Sequence, residues 1–336
     1  MGIQAPAEVK FAIIYEAIRQ DNNLLNISQM CRIAGVSRSG FYAWMDAAPV
    51  RQTREDNDQA DFALILEAYR FRGYAKGARG IHMRLLHQGI IMNVKKIRRL
   101  MNKYHLVCPI RKANPYRRMA KALATSNTAP NIVNREFRQK PRKVLLTDIT
   151  YLFFNNEKCY LSTVLDAFTH EILTWQLSQS LKVDFVLESV DQLVKEHGST
   201  LDNETIVHSD QGCHYTSYAF IQKLRDSEFI QSMSRRGNCW DNAPQESFFG
   251  HMKDEICEKI SSCTSFDNVK SQVEDWIDYY NKDRYQWELL KLSPSEYFRY
   301  LQTGIYPLPV YEPKSKGNTG ALPQTPGFNA LVSKRQ

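Results

Sequence analysis

Three carboxylate residues have sequence neighbours suited to metal-dependent chemistry. Asp148 lies within the apolar run VLLTDITYLFF, and Asp210 follows the short apolar segment 206–207; both patterns are typical of β-strands. Glu246 comes 36 positions after Asp210, just inside a predicted helix that opens after Pro244. A carboxylate buried in a strand is costly unless it binds a metal or accepts hydrogen bonds. Mg2+ prefers oxygen ligands, and a pair of such ions stabilises both the attacking and the leaving oxygen in phosphoryl transfer.

Other side chains near these acids leave alternatives open. Asp166 and Asp241 are further candidates for the site, although either could instead cap a helix or stabilise a turn. His208 and His214 flank Asp210, and each could take a direct catalytic role. The serine, cysteine and histidine content shows no pattern of nucleophile and base, so a covalent intermediate between enzyme and substrate is not expected.

Length and composition predict a soluble protein of two to three domains. The chain has 336 residues, of which 43% are hydrophobic. It contains no run of about 18 apolar residues, so no membrane partner is expected, and its N-terminus lacks the pattern of a secretory signal. Seven cysteines without a CxxC pair indicate reduced thiols, with neither a disulfide framework nor a zinc site. The predicted location is the cytoplasm.

Charge is distributed unevenly along the chain. Residues 68–135 contain 16 Lys and Arg and no Asp or Glu, whereas the rest of the chain holds 28 basic and 36 acidic residues. Cations without nearby acids repel one another unless a polyanion neutralises them, which indicates nucleic acid as the partner. The alternative is a solvated basic face, but acids are usually interspersed on such a face.

Two helix-turn-helix units are predicted in the N-terminal third. In the first, Asn26 or Ser28 caps a helix that ends near Gly35, and Ser37 caps the next helix. An ordinary helical hairpin is the alternative, but the GVSRS turn favours DNA binding. The DNA-contact candidates at the start of this second helix are Arg38 and Ser39. A polar stretch containing Pro49 is expected to connect this unit to the next.

The second unit has a strongly cationic second helix. Gly89 separates one helical pattern from another, and the apolar positions of the latter include Val94, Ile97 and Leu100. A cationic helix after a tight turn suits contact with phosphates or entry into the major groove. The candidate DNA contacts on it are Lys95, Lys96, Arg98, Arg99 and Lys103.

The remaining chain reads as a basic linker, a mixed α/β domain and closing helices. Three antiparallel strands, then helix, strand, helix, strand and helix, predict an RNase H-like fold with a mixed five-stranded sheet, preceded by the all-α units. Further DNA-contact candidates are Arg111, Lys112, Arg117 and Arg118 in the linker and Arg235 and Arg236 before the Glu246 helix. The predicted domains are 1–48 (first helix-turn-helix), 58–107 (second helix-turn-helix), 108–141 (linker), 142–260 (RNase H-like catalytic core), 261–302 (C-terminal helices) and 303–336 (loose tail).

Several motifs together resemble a known family. The runs TDITYL, HSDQGCHYTS and MSRRGNCWDNAPQESFFGHMK are similar to the catalytic core of bacterial insertion-sequence transposases related to retroviral integrases. They resemble in particular the second-frame (OrfB) product of two-frame insertion elements. The run YNKDRYQWELLKLSPSEY resembles that family's C-terminal signature, and GARGIHMRLLHQGI resembles its second helix-turn-helix. The similarity covers about residues 26–300.

The resemblance implies a transposase that uses two divalent metal ions. By this resemblance Asp148, Asp210 and Glu246 are the metal-binding triad, and Lys253 is the basic residue of the catalytic helix. The implied cofactor is Mg2+, two ions per site, with Mn2+ as a substitute. The implied reactions are cleavage at the element end, which frees a 3′-OH, and transfer of that strand. Joining to the other end of the same element would give a circular intermediate.

The resemblance also implies a bacterial protein that is associated with the nucleoid when bound to DNA, and it implies partners. The DNA partners are the double-stranded terminal inverted repeats and the target DNA, and the protein is expected to form a homo-oligomer on DNA. An upstream first-frame protein is a further implied partner, since the family usually adds a helix-turn-helix and a leucine zipper from that frame; this chain contains no zipper of its own.

Two other functions compete with the transposase. A DNA-binding regulator on an inactive RNase H-like scaffold would not need all three acids and Lys253. A structure-specific nuclease with the same core would not need two helix-turn-helix units. A cleavage assay with magnesium separates the regulator from the enzymes.

Overall fold

The first helical unit is a three-helix bundle with a helix-turn-helix. The computed structural model describes residues 5–74, 76–109, 128–235 and 239–309. Asn26 and Gln29 form a capping box at the start of the second helix, and Ser37 caps the third by accepting from the Gly40 N–H. Gly35 ends the second helix with φ 65°, a left-handed conformation that glycine adopts at little cost. The helices are α1 (Ala7–Ile18), α2 (Ile27–Ala34) and α3 (Arg38–Asp46).

The second helical unit combines a long helix with another helix-turn-helix. Its elements are α4 (Ala48–Arg70), α5 (Ala78–His87) and α6 (Val94–Lys103). Ile65 from α4, Leu85 from α5 and Ile97 from α6 are fully buried in one apolar core. The predicted polar connector between the two units is wrong, because α4 runs unbroken through that stretch. Pro49 lies in the first turn of α4, where the missing N–H costs no helical hydrogen bond.

A mixed five-stranded sheet forms the centre of the molecule, as the strand pattern predicts. Its strands are β1 (Val144–Phe154), β2 (Glu157–Asp166), β3 (Ile172–Ser178), β4 (Ile206–Ser209) and β5 (Ile230–Met233). The order across the sheet is β3-β2-β1-β4-β5. β1, β2 and β3 are antiparallel neighbours, whereas β4 is parallel to β1 and β5 is parallel to β4.

Helices cover both faces of this sheet. They are α7 (Asp184–His197) and α8 (Tyr218–Asp226) on one side, and α9 (Ala243–Ser261) and α10 (Phe266–Lys282) on the other. Side chains alternate along β1, so Leu146 and Leu152 pack with Met252 and Trp276, while Leu145 packs on the opposite face. The sheet is therefore apolar on both faces.

Residues of the C-terminal signature stabilise the catalytic domain through contacts with β3 and α9. Asn281 accepts from the backbone N–H of Ile172 at 2.9 Å and donates to its carbonyl at 2.8 Å, which ties the end of α10 to β3. Arg284 donates to Glu255 of α9 at 3.0 Å. Ser293 then caps the last helix, α11 (Pro294–Thr303), in a capping box.

The second helical unit docks onto this C-terminal region. The Tyr74 hydroxyl donates to Asp275 of α10 at 2.5 Å, and its ring is buried in the core beneath α9. His87 of α5 lies 3.0 Å from Glu296 of α11. These contacts place α5 beside the loop between α10 and α11.

The predicted domain limits stay predictions, and two of them depend on residues outside the described ranges. The linker candidates Arg111, Lys112, Arg117 and Arg118 and most of the tail 303–336 fall there. The last part of the linker, residues 128–139, contacts the core: Val133 is buried in it, and Ile132 donates its N–H to Ser232 at 2.9 Å. Among the described residues, no helix has the length and apolar character needed to cross a bilayer.

Candidate active site

Asp148 and Asp210 meet at the same level of adjacent strands. The parallel pairing aligns Val144 with Ile206 and Leu146 with His208, so partners differ by 62 in number, as Asp148 and Asp210 do. Alternation places both acids on the face that packs against α9, because Val144, Leu146 and Ile206 belong to the core on that face. The two acids therefore lie side by side where β4 ends.

The loop after β4 holds the second acid in place. The carboxylate of Asp210 accepts from the backbone N–H of Gly212 at 2.8 Å. A Cβ at position 212 would lie 2.8 Å from the same oxygen, so a larger residue there would displace the Asp210 carboxylate from this position. The HSDQG run thus combines an acid with the glycine that orients it.

The environment of Asp148 disfavours its charge. Burial raises the pKa of Asp148 to about 8, and repulsion from the carboxylates of Asp210 and, more weakly, Glu246 adds to this effect. The Ile149 N–H, which donates to Asp148 at 2.8 Å, and the charge of Lys253 act in the opposite direction. Loss of hydration also raises the pKa of Asp210, against its hydrogen bond from Gly212. Carboxylates in such surroundings gain stability from a bound cation.

Helix α9 carries the remaining two candidates. Glu246 lies in its first turn with an exposed side chain, and Lys253 is half-buried two turns further on the same side. Both act on the pKa of Asp148, which shows that they are near it. Within the described part of the chain, no three His, Cys, Asp or Glu side chains are arranged to hold a metal ion. Glu246 is thus close to the acid pair without forming a closed ligand set with it.

Gln245 anchors the start of α9 on the sheet. Its side chain is fully buried and donates to the hydroxyl of Thr163. Thr163 pairs directly with Asp148 across β1 and β2. The sequence reasoning missed this residue, although a glutamine beside Glu246 in the predicted helix was a signal.

Asp241 holds together three segments at the entrance to α9. It is 1% exposed and accepts from the Nε of Arg235 at 2.8 Å, the Nε of Arg135 at 2.8 Å and the amide of Asn131 at 3.0 Å. The arginine contacts hold the pKa of Asp241 well below its usual range. Asp241 therefore joins residues 131–135 and the exit of β5 to the catalytic helix, as a structural carboxylate.

Asp166 is a structural carboxylate as well. It is fully buried and accepts from the guanidinium of Arg142 at 2.9 Å, the N–H of Phe168 at 2.9 Å and the hydroxyl of Thr169 at 3.0 Å. These bonds shape the turn between β2 and β3. Asp166 thus takes the turn-stabilising role that the sequence left open, and Asp148 and Asp210 form the acid pair.

The two histidines near Asp210 are engaged in hydrogen bonds. His208 is buried, and its two ring nitrogens lie 2.9 Å and 3.0 Å from the hydroxyls of Ser232 and Ser234. Burial lowers the pKa of His208 to about 4, so it is neutral at pH 7. His214 bonds to the Leu181 carbonyl at 2.7 Å. Both rings support the loops around the acids.

The DNA-contact candidates differ in their surroundings. Arg38, Ser39, Lys95 and Arg98 are exposed. Three others contact acids of α4: Lys96 with Asp61, Arg99 with Asp58, and Lys103 with Glu55 and Asp58. Acids of α4, which lie just outside residues 68–135, thus neutralise part of the positive charge of that segment. Arg235 is bound to Asp241, and Arg236 lies outside the described residues. DNA contact by each of these side chains stays a prediction.

The fold and the site define an integrase-type catalytic core attached to DNA-binding helices. Family models for an integrase core domain match residues 138–239 and 246–299, and a model for an HTH-like domain matches residues 56–114. A protein assigned as transposase InsK of element IS150 from Escherichia coli is 32% identical over 272 residues, covering 81% of this chain and 93% of the relative. The chain belongs to the family of insertion-sequence transposases. It is a DDE-type polynucleotidyl transferase that binds DNA.

Further relatives and solved structures are similar to large parts of the chain. The 31 kDa protein of element IS600 from Shigella sonnei is 30% identical over 277 residues, covering 80% of this chain and 97% of the relative. The catalytic core of BIV integrase aligns with 48% of this chain and 98% of its own at 16% identity and a TM-score of 0.39. The HTLV-2 integrase core, solved in complex with magnesium, aligns with 47% and 97% at 12% identity and a TM-score of 0.39.

Proposed function

We propose that this transposase cleaves and joins DNA at the ends of an insertion sequence, with Asp148, Asp210 and Glu246 as metal ligands. The observation that carries the proposal is the convergence of Asp148 and Asp210 on adjacent strands beneath the helix that bears Glu246. Two other nearby carboxylates, Asp166 and Asp241, are used by arginines in structural contacts. This contrast supports Asp148 and Asp210 as the acids that take part in the chemistry.

The donor set fits a hard divalent cation. Carboxylate oxygens are the ligands that Mg2+ and Mn2+ prefer. The raised pKa of Asp148 reflects burial first and repulsion from neighbouring carboxylates second, and a bound cation would offset both. Asp148 and Asp210 would hold the ions, with Glu246 as the third ligand. Two bound ions would stabilise the attacking and the leaving oxygen of the phosphodiester.

The reaction is a pair of in-line displacements at phosphorus. Water attacks the phosphodiester at the element end; the bond to the 3′ oxygen breaks, and a 3′-OH and a 5′-phosphate result. That hydroxyl then attacks a second phosphodiester, so that one P–O bond forms as another breaks. Lys253, two turns from Glu246 on the same side of α9, would contact the phosphate under attack.

DNA would reach this site through the helical units. We assign recognition of the terminal inverted repeats to the exposed starts of the helix-turn-helix helices, Arg38 and Ser39 on α3 and Lys95 and Arg98 on α6. Assembly of two element ends with target DNA requires more than one active site, so we propose a homo-oligomer on DNA. An upstream first-frame protein belongs to the same proposal.

Substitution of Glu246 tests the proposal. Glu246→Gln keeps the shape of the side chain but removes its charge, so cleavage of a terminal-repeat duplex in Mg2+ should fall by about a hundredfold or more. Duplex affinity measured in EDTA should stay within error of the parent protein. Glu258→Gln, an exposed position further along α9, is the matched control and should cleave normally.

Two outcomes would contradict the proposal. Normal cleavage by Glu246→Gln would remove this residue from the site. Tight and specific duplex binding by the parent protein, with no cleavage in Mg2+ or Mn2+, would favour a DNA-binding regulator.

A further inference from the structure

A large cleft lies beside the catalytic helix, where the second helical unit meets the core. Its volume is about 1270 Å³. One wall is α5, through Arg79 and Met83, and the floor includes the first turns of α9. Residues 135–139 and the loop 284–288 between α10 and α11 complete it. The cleft thus connects the DNA-binding helices with the catalytic domain.

The cleft begins within one helical turn of Glu246. Pro244 and Ser247, which line it, stand on either side of Glu246 in the sequence of α9. Successive residues of a helix point about 100° apart, so Pro244, Ser247 and Phe248 point about 100° to 160° away from Glu246 around α9. A strand held in the cleft would therefore pass around the first turn of α9 to reach the candidate active site.

An indole ring is the most prominent apolar surface in the cleft. Trp287 is 46% exposed, whereas Phe248 and Tyr280, which line the same cleft, are buried. Phe137 and Tyr285 add further aromatic lining. An exposed aromatic face can stack on a nucleic acid base, and such stacking tolerates any sequence.

Cations surround this indole. The guanidinium of Arg79 lies 5.5 Å and the ammonium of Lys291 lies 5.4 Å from the centre of the Trp287 ring. These distances are near the outer limit of a cation–π contact, so a base that stacks on the ring would displace one cation toward its own phosphate. An aromatic platform between two positive charges matches the alternation of base and phosphate along a nucleic acid strand.

Two more arginines extend the positive lining toward the site. Arg138 pairs with Glu288 at 3.1 Å, but both side chains are more than half exposed, and an exposed pair of this kind is weak. A phosphate can replace Glu288 in it. Arg135 uses its Nε to bind Asp241 and is 46% exposed, which leaves the outer part of the guanidinium facing solvent.

We propose that this cleft binds a single DNA strand beside the catalytic helix, with one base stacked on Trp287 and phosphates at Arg79 and Arg138. A single strand is favoured over a duplex, because paired bases hide their faces within the helix stack and cannot cover the indole. The inference rests on the proposed function, in that it names the form of DNA that is held beside the catalytic helix.

Binding of a short single strand tests the proposal without any need for catalysis. The full-length protein in EDTA is titrated with a fluorescein-labelled 12-nucleotide strand, and with the same strand carrying 2-aminopurine, whose fluorescence falls when it stacks. Trp287→Ala should weaken strand binding by about tenfold and abolish the fluorescence change. Trp287→Phe should retain much of both, and duplex affinity should change less than twofold.

Trp240 provides the matched control. It is 69% exposed, and it is not part of the cleft lining. Trp240→Ala should leave strand binding and the 2-aminopurine signal unchanged. Arg79→Ala and Arg138→Ala should each reduce the slope of log affinity against log salt by about 0.7, the value for one phosphate of a single strand.

The results separate failure of this inference from failure of the proposed function. Unchanged strand binding by Trp287→Ala, or loss of the signal in Trp240→Ala instead, overturns the cleft assignment. Because the titration needs no metal, strand binding that depends on Trp287 supports the cleft even if no variant cleaves DNA. Circular-dichroism melting of each variant identifies any loss of folding.

Discussion

The carboxylates around the central sheet fall into two groups with opposite surroundings. Asp148 lies near the carboxylates of Asp210 and Glu246. Burial, together with repulsion from these carboxylates, raises the pKa of Asp148 to about 8. Asp241, at the entrance to α9, is bound by Arg135 and Arg235, which lower its pKa. The surroundings of Asp148 therefore raise its pKa, whereas the surroundings of Asp241 lower the pKa of that acid.

The difference shows how one domain separates chemistry from structure. An acid that already has arginine partners gains little from a cation, so Asp241 is suited to hold the entrance of α9 rigid. An acid crowded by other acids destabilises the metal-free fold and is stabilised when a cation arrives. Asp166, with Arg142 as its partner, belongs to the structural group.

The largest effect is expected from removing the structural charge. Asp241→Asn leaves the volume of the side chain unchanged but takes the charge away from two arginines and one backbone N–H. Loss of charge-assisted hydrogen bonds should lower the free energy of unfolding by about 2–3 kcal/mol, measured by urea denaturation. Asp226→Asn, an exposed position on α8, is the control and should change it little. Equal stability of the two variants would show that the arginine contacts of Asp241 do not contribute to the free energy of unfolding.

A smaller effect of opposite sign is expected at the chemical site. The pKa of Asp148 is raised from about 3.9 in the unfolded chain to about 8, so the folded state holds a proton that the unfolded state has lost. The contribution of Asp148 to the free energy of unfolding is fully present below about pH 4 and is lost as the pH rises toward 8. Asp148→Asn should therefore melt higher than the parent protein in metal-free buffer, by a few degrees at pH 8 and less at pH 5.

Magnesium sharpens that measurement. Added Mg2+ should raise the melting temperature of the parent protein at pH 8 more than that of Asp148→Asn, because a ligand that binds only the folded state stabilises it. A melting difference that does not depend on pH would contradict the assignment of Asp148 to the charge-crowded group.

The smallest effect is expected at the contact between α4 and α6. Asp58→Asn releases Arg99 and leaves Lys103 with Glu55 as its acidic partner, so Arg99 becomes available to phosphates. Nonspecific duplex affinity at low salt should rise severalfold, with a steeper salt dependence. Asp56→Asn, exposed on the same helix, is the control. Unchanged affinity would mean that this side of α6 serves only to bind α4.

Most of the fold could be predicted from the sequence, because the local patterns were strong. Alternating apolar residues and short turns predicted the five strands in their order along the chain. Caps at Asn26 and Ser37, with Gly35 between them, predicted the first helix-turn-helix. The prediction failed where a local signal was ambiguous. Pro49 reads as a connector residue, yet it is equally at home in the first turn of a helix, and only packing of α4 on α5 and α6 decided between these.

The sequence by itself determined which acids are available and which elements carry them. Two of these acids converge through strand pairing, since the offset that aligns Val144 with Ile206 also aligns Asp148 with Asp210. Only the tertiary structure decided the partner of each charge. Arg235 binds Asp241, Arg99 binds Asp58, and Trp287 lines a cleft beside α9, because each contact joins segments that local patterns cannot place relative to one another. Electrostatic energy depends on distance in space, which is set by packing and not by separation along the chain.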